Sequence, residues 1–166
     1  NFVSLFSAIN TLARKFDMPV LYSCHPRSKK HLEESGFKLD EKVILHEPLG
    51  FIDYNALQYN AFVVVSDSGT LPEESAFFHT VGLDFPAVCI RTSTERPEAV
   101  DKGVFILAGI DEKGLVNAVD LAVMLNADRA YPTAVPDYTE ENASVKTVKI
   151  IQSFTGVVNK MVWKKF

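Results

Sequence analysis

The run Ala61-Phe62-Val63-Val64-Val65-Ser66-Asp67-Ser68-Gly69-Thr70-Leu71-Pro72-Glu73-Glu74 decides the fold class. Its first five residues are apolar and rich in β-branched side chains, the pattern of a strand buried on both faces of a parallel sheet. Small polar residues end that run. Pro72 then stands near a first helical turn, where a missing N–H costs little, and Glu73 and Glu74 place negative charge at the positive end of the helix dipole. The stretch reads as strand, tight loop and helix N-terminus. In an open α/β sheet such a turn faces the crevice at the carboxyl ends of the strands, and its backbone N–H groups suit a phosphate. An ordinary capped βα turn has the same local wording, so spacing alone leaves both readings open.

Outward from this stretch, strand and helix patterns alternate. Phe2, Leu5, Phe6, Ile9, Leu12 and Phe16 recur at helical spacing, and Asp17-Met18-Pro19 breaks that helix before a strand at Val20-Leu21-Tyr22-Ser23. The loop Cys24-His25-Pro26-Arg27-Ser28 leads to a helix from about Lys29 to Glu34 that ends near Gly36. Val43-Ile44-Leu45 is the next strand, and Asp53 is a candidate cap for a helix over residues 54 to 60. After the central loop the pattern predicts a helix from Leu71 to Phe78 and a connection over His79 to Asp84. Buried strands follow at Pro86 to Ile90 and Gly103 to Gly109, then a helix over residues 112 to 126. Residues 130 to 139, with Pro132 and Pro136, form a connection to a last helix from Asn142 to Lys164, in which Gly156 marks a bend.

The fold class expected is α/β, doubly wound around a mainly parallel, Rossmann-like sheet. Residues 1–140 are expected to form the domain. Residues 141–166 form a helix that packs on it or crosses to a domain outside this chain. A helix ahead of the first strand, and a first residue, Asn1, that is not methionine, suit a piece of a longer protein whose first strand lies upstream.

At 166 residues a single domain can bury about two-thirds or more of its unfolded surface. A hydrophobic fraction of 47% with 23% charged residues is that of a globular chain, not a disordered one. The net charge of -4, with no clustered basic face, argues against a nucleic-acid partner held by its phosphates. No apolar run has the length of a membrane span, so no membrane partner is expected. Cys24 and Cys89 lack a CxxC arrangement and read as reduced, core-filling thiols in a cytoplasmic setting. Neither a Gly-x-Gly-x-x-Gly fingerprint nor a Walker loop is present, which disfavours a nicotinamide dehydrogenase or an ATPase.

Three further groups of residues could carry chemistry. His25 sits at a strand's carboxyl end, where a histidine serves either structure or function. Tyr54, near the carboxyl end of the next strand, is either packing or the apolar wall a nucleotide base needs. Arg91, Glu95 and Arg96, among the hydroxyls of Thr92, Ser93 and Thr94, could neutralise a diphosphate or form an exposed ion pair of little worth.

Ser66-Asp67-Ser68-Gly69 with Glu73-Glu74, followed by Arg91 and Thr94-Glu95-Arg96-Pro97-Glu98-Ala99, resembles the non-hydrolysing UDP-N-acetylglucosamine 2-epimerase family. That family has an Asp-Ser-Gly-Gly loop, a Glu-Glu pair and a Thr-Glu-Arg-Pro-Glu-Ala segment. Ser66-Asp67-Ser68-Gly69-Thr70 and Phe85 to Arg91 are most similar to the branch that makes UDP-N-acetyl-L-fucosamine for capsule or O-antigen assembly. The resemblance covers nearly the whole chain, but only the carboxyl half of the family's two-domain GT-B architecture.

The resemblance implies a ligand, UDP or a UDP-sugar, held without metal or cofactor. His25 matches a histidine that contacts the nucleotide diphosphate and is the candidate catalytic residue. Tyr54 stands at a family phenylalanine beside the uracil, whereas Leu49 replaces a polar residue and reads as structural. Ser68, Gly69 and Arg96 would hold the diphosphate, and Glu74 would accept hydrogen bonds from the ribose hydroxyls. Thr70 replaces the family's second glycine, and its Cβ narrows the approach there.

The reaction implied is epimerisation at C2, with UDP-2-acetamido-2,6-dideoxy-L-talose converted to UDP-N-acetyl-L-fucosamine. UDP is eliminated to a glycal, a proton returns on the other face, and UDP re-adds. The proton-transfer carboxylates belong to the family's amino-terminal domain, so this piece alone is expected to bind nucleotide without turnover. A homo-oligomer and the absent amino-terminal domain are the expected protein partners. The carboxyl half of a GT-B glycosyltransferase and a non-catalytic UDP-binding module are the alternative functions.

Overall fold

The computed structural model describes residues 2–128, 134–139 and 142–165. Seven helices and five strands are found among them: α1 Phe2–Phe16, β1 Val20–Ser23, α2 Pro26–Ser35, β2 Val43–His46, α3 Phe51–Tyr59, β3 Val64–Ser66, α4 Leu71–Thr80, β4 Ala87–Cys89, α5 Pro97–Asp101, β5 Ile106–Leu107, α6 Glu112–Ala127 and α7 Ala143–Met161. The strands lie in two ladders, β1-β2 and β3-β4-β5. Every pairing is parallel, with Val20 opposite Val43, Val64 opposite Ala87 and Val88 opposite Ile106. The expected parallel α/β architecture is present. Helices connect the strands because parallel neighbours need a crossover.

Helix α1 serves both ladders. Phe6 and Ile9 pack with Leu32 of α2, with Val20, Tyr22 and Val43 of the first ladder against them. Ala8 and Leu12 join Val88 of β4 and Leu115, Ala118, Val119 and Ala122 of α6 in a second cluster. Phe6, Val88, Leu115 and Val119 are each at most 1% exposed, and burial of a side chain of this kind contributes about 1.5–3 kcal/mol. Asn10 is buried on the same helix, and its polar atoms are both used: Nδ2 donates to the Lys38 carbonyl at 2.9 Å and Oδ1 accepts from the Asp40 N–H at 2.7 Å. The loop before β2 is thereby tied to α1.

Several boundaries differ from expectation for identifiable reasons. Helix α3 begins at Phe51, so Asp53 lies inside its first turn and is not the cap. Gly50, extended at φ -66 and ψ 159, is the N-cap, and its carbonyl accepts the Tyr54 N–H at 2.9 Å. Strand β3 pairs only from Val64, because its partner β4 starts at Ala87, and the Val64 N–H is taken by the Pro86 carbonyl. Its residues are half-buried rather than sealed on both faces; β4 is the fully buried strand.

Proline moves two helix starts. Pro26 opens α2 three residues before Lys29, and Pro97 opens a short helix, α5, for which the sequence pattern predicts no element. Gly103, at φ +70, belongs to the turn that ends α5, leaving only Ile106–Leu107 as strand. Helix α4 continues through His79 to Thr80, into the expected connection.

The chain forms two compact units, Asn1–Val135 and Pro136–Phe166. The boundary expected at residues 140 and 141 falls outside the described residues, as does Pro132. In the second unit a 3-10 turn at Pro136–Tyr138 precedes α7, which is one helix through Gly156. Val148, Ile151, Phe154, Met161 and Trp163 are exposed along and just beyond it.

Candidate functional site

Because β3 and β4 are parallel neighbours, with Ser66 opposite Cys89, the loops after them emerge side by side at one sheet edge. The first loop, residues 67–70, feeds α4; the second, residues 90–96, feeds α5. Arg91 joins them, its Nε donating to the Asp67 carbonyl at 2.7 Å. Ser75 secures α4 from behind: fully buried, it donates its hydroxyl to the Val104 carbonyl at 2.5 Å.

Hydroxyls occupy much of the first loop's hydrogen bonding. The Ser68 N–H donates to Ser66 Oγ at 3.0 Å and the Thr70 N–H to Ser68 Oγ at 3.2 Å. Gly69 lies between them, and its N–H has no acceptor among the described residues. A Cβ there would meet only Arg91 Nη2, at an ordinary 3.9 Å, so the glycine keeps the approach to its amide open rather than relieving a clash. This amide lies at the entrance of α4, where Thr70 is the N-cap and Pro72 stands in the first turn. One open donor, the helix dipole and Arg91 nearby favour an anion.

Thr70 is tied into hydrogen bonds on both sides. Its Oγ1 lies 2.9 Å from Ser68 Oγ and donates to Glu74 Oε1 at 2.8 Å. The other carboxylate oxygen of Glu74 accepts from Gln58 Nε2 at 2.7 Å, and the same amide nitrogen lies 2.8 Å from the Tyr54 hydroxyl. Ser68, Thr70, Glu74, Gln58 and Tyr54 therefore form one connected chain across α3, the loop and α4. Burial, followed by the Glu74 charge, raises the Tyr54 phenol above its ordinary value, so it stays protonated at neutral pH.

Arg96 reaches the same helix by another route. Its Nε donates to Glu73 Oε1 at 2.7 Å and its Nη1 to the Glu95 carbonyl at 3.2 Å, while Arg91 and Glu95 form an i,i+4 ion pair at 3.8 Å. Glu73 Oε2 is buried and accepts no hydrogen bond among the described residues. Glu73 is thus the anchor of Arg96 and not merely a charge at the helix start.

His25 stands apart from this chain of bonds. It is exposed at the turn from β1 into α2, and its carbonyl accepts the Lys29 N–H at 3.0 Å. Cys24 and Cys89 are free and buried, and burial raises both thiols above their ordinary value, a condition of inert core residues. The sequence reading did not single out Gln58. Its position four residues after Tyr54, on one helical face, was the available signal.

Comparison with known proteins agrees with this architecture. The sequence profile of the family described as UDP-N-acetylglucosamine 2-epimerase matches residues 1–152. A UDP-N-acetylglucosamine 2-epimerase of Methanococcus maripaludis is 34% identical over 126 residues, covering 74% of this chain and 33% of that protein. The enzyme of the same description from Methanocaldococcus jannaschii is 36% identical over 118 residues, covering 69% of this chain and 30% of its own. Among solved structures, the UDP-N-acetylglucosamine 2-epimerase of Rickettsia bellii superposes with a TM-score of 0.87 at 34% identity, over 99% of this chain and 44% of that one. The Methanocaldococcus jannaschii enzyme, solved in complex with UDP-GlcNAc and UDP, gives 0.73 at 27% identity over 89% and 39%. The chain spans about a third of the length of these curated relatives.

Proposed function

Since the chain belongs to the UDP-N-acetylglucosamine 2-epimerase family, we propose that it is the nucleotide-holding part of a UDP-N-acetylamino-sugar 2-epimerase. The observation that carries this reading is the bonded chain from Ser68 through Thr70, Glu74 and Gln58 to Tyr54, beside the open Gly69 N–H. Each chemical part of UDP finds a suitable group along it. The Gly69 amide and Arg96 take the diphosphate, with His25 approaching from the end of β1. Glu74, an acceptor with no donor of its own when ionised, takes the ribose hydroxyls. The Tyr54 ring, half-buried and held by Gln58, walls the uracil.

The mechanism asks this part for retention rather than proton transfer. When the C1–O bond of the sugar breaks, its electron pair leaves with UDP and the proton at C2 is lost to a base, giving the glycal. Re-addition of UDP at C1 and proton return to the opposite face of C2 complete the epimerisation. The donors around Gly69, Arg96 and His25 stabilise the departing diphosphate and keep it beside the glycal, which makes re-addition effectively unimolecular. The carboxylates that move the C2 proton come from a domain outside this chain, so the chain alone binds without turnover. Residues 1–140 form the nucleotide domain in this proposal, and 141–166 a helix that packs on it or crosses to the second domain. The substrate we propose is UDP-2-acetamido-2,6-dideoxy-L-talose, giving UDP-N-acetyl-L-fucosamine in cytoplasmic synthesis of capsule or O-antigen precursors, on the strength of Ser66-Asp67-Ser68-Gly69-Thr70. Calorimetric titration with UDP and ADP tests the assignment of the base wall. UDP is expected to bind more tightly, and equal affinities would remove Tyr54 from the site.

A further inference from the structure

We infer that Gln58 is a positioning residue of this site, fixing Glu74 and Tyr54 as one unit although it does not itself touch the nucleotide. The inference rests on the ribose role given to Glu74 above. Gln58 is 5% exposed, so its amide is out of a ligand's reach, yet its single Nε2 lies within hydrogen-bond distance of groups on two different helices. The orientation of the amide follows from its neighbour. An ionised Glu74 only accepts, so the NH2 side must face it, and turning the amide over would set two oxygens together. That orientation leaves Gln58 Oε1 buried without a partner among the described residues.

An apolar side chain of similar length would fill the space without burying an unpaired oxygen, so packing alone does not explain a glutamine here. What the amide adds is a pair of directed bonds. One hydrogen bond holds Glu74 Oε2 while Thr70 holds Oε1, leaving the carboxylate a single orientation. Accepting ribose hydroxyls then requires no reorganisation of Glu74. Without Gln58 the carboxylate loses the buried amide bond to Oε2 and keeps only the Thr70 and Tyr54 hydroxyls, so it is held less firmly and the loss should fall on nucleotides that carry the hydroxyls.

The test compares UDP with 2′,3′-dideoxy-UDP on this chain, unaltered and as Gln58→Met, which keeps the length and apolar volume but has no N–H. The unaltered chain should prefer UDP by about tenfold or more, as expected for hydrogen bonds to a charged acceptor. In Gln58→Met the preference should fall to about threefold or less, since the bond orienting Glu74 is lost while any loosening of the Tyr54 wall weakens both nucleotides alike. A preference equal to that of the unaltered chain overturns the inference and leaves the ribose role of Glu74 standing. No preference in the unaltered chain overturns that role, and the inference with it. Should Gln58→Met lose its helical circular dichroism, Gln58→Leu decides, since it leaves Tyr54 and Thr70 in place and removes only the amide. A reduced preference in Gln58→Leu supports the positioning unit, and an unchanged one overturns it.

Discussion

Replacing Arg96 with alanine separates a binding arginine from a structural one, because the two roles predict losses of different size in different measurements. As a structural residue Arg96 serves Glu73 through one bond of 2.7 Å, and the two side chains are 38% and 37% exposed. Solvent screens a pair this open, so its loss should cost about 0.5–1 kcal/mol of stability. For a chain of this size that corresponds to a melting shift of about 2–4 °C at most. As a diphosphate ligand it makes hydrogen bonds between full charges, worth about 1.5–3 kcal/mol, or about 10- to 150-fold in Kd. Calorimetry with UDP and a thermal melt of the same preparation read both. Glu73→Gln is the control, since it weakens the ion pair and keeps the guanidinium; it should lower the melt comparably and change UDP affinity by only about threefold. An Arg96→Ala chain that melts earlier yet binds UDP within about twofold of the original would refute the reasoning and leave Arg96 as a strut for Glu73.

Two further outcomes can be checked on the same chain. Burial lowers His79 below its ordinary 6.5, with the Asp84 charge opposing only in part. A histidine depressed in the folded state favours folding above its unfolded pKa and loses that contribution as pH falls through the folded one. Urea midpoints should therefore drop as pH falls below about 6.5, and His79→Gln should flatten the slope; equal slopes would remove His79 as the cause. Met161 and Trp163 are 63% and 64% exposed, and with Val148, Ile151 and Phe154 they make the last helix a candidate for self-association. Sedimentation should show concentration-dependent association that Met161→Glu and Trp163→Glu abolish, whereas a monomer at every concentration would contradict it.

What was legible in the sequence depended on how much of each element its own residues determine. Helices α1 and α6 carry apolar periodicity over 15 and 16 residues, enough to place them within a residue or so. The five residues of α5 make little more than one turn and show no period, so the helix after Pro97 has no signal of its own in the sequence. Strand ends were less visible, because pairing decides them: the apolar run begins at Ala61, but Ala87 on β4 determines that ladder bonding begins at Val64. The same distinction applies to the candidate site. Gly69, Thr70 and Glu74 stand on one short stretch and could be read together, and Arg96 through the wording around it. Gln58 could not, because its importance lies in joining Tyr54 on its own helix to Glu74 sixteen residues on. Asp53 misled for the opposite reason: a residue type that favours caps proved less decisive than the extended backbone of Gly50.

The central claim is that UDP is held where the loop after β3 enters α4, and an NMR titration of the isotopically labelled chain with UDP addresses it residue by residue. Saturable shifts are expected at the Gly69 amide, at the backbone of Ser68 and Glu74 and at the Arg96 Nε–H, with His25 responding from the end of β1. Saturable binding that leaves Gly69 and Arg96 unmoved, or no saturation at all, would contradict the account.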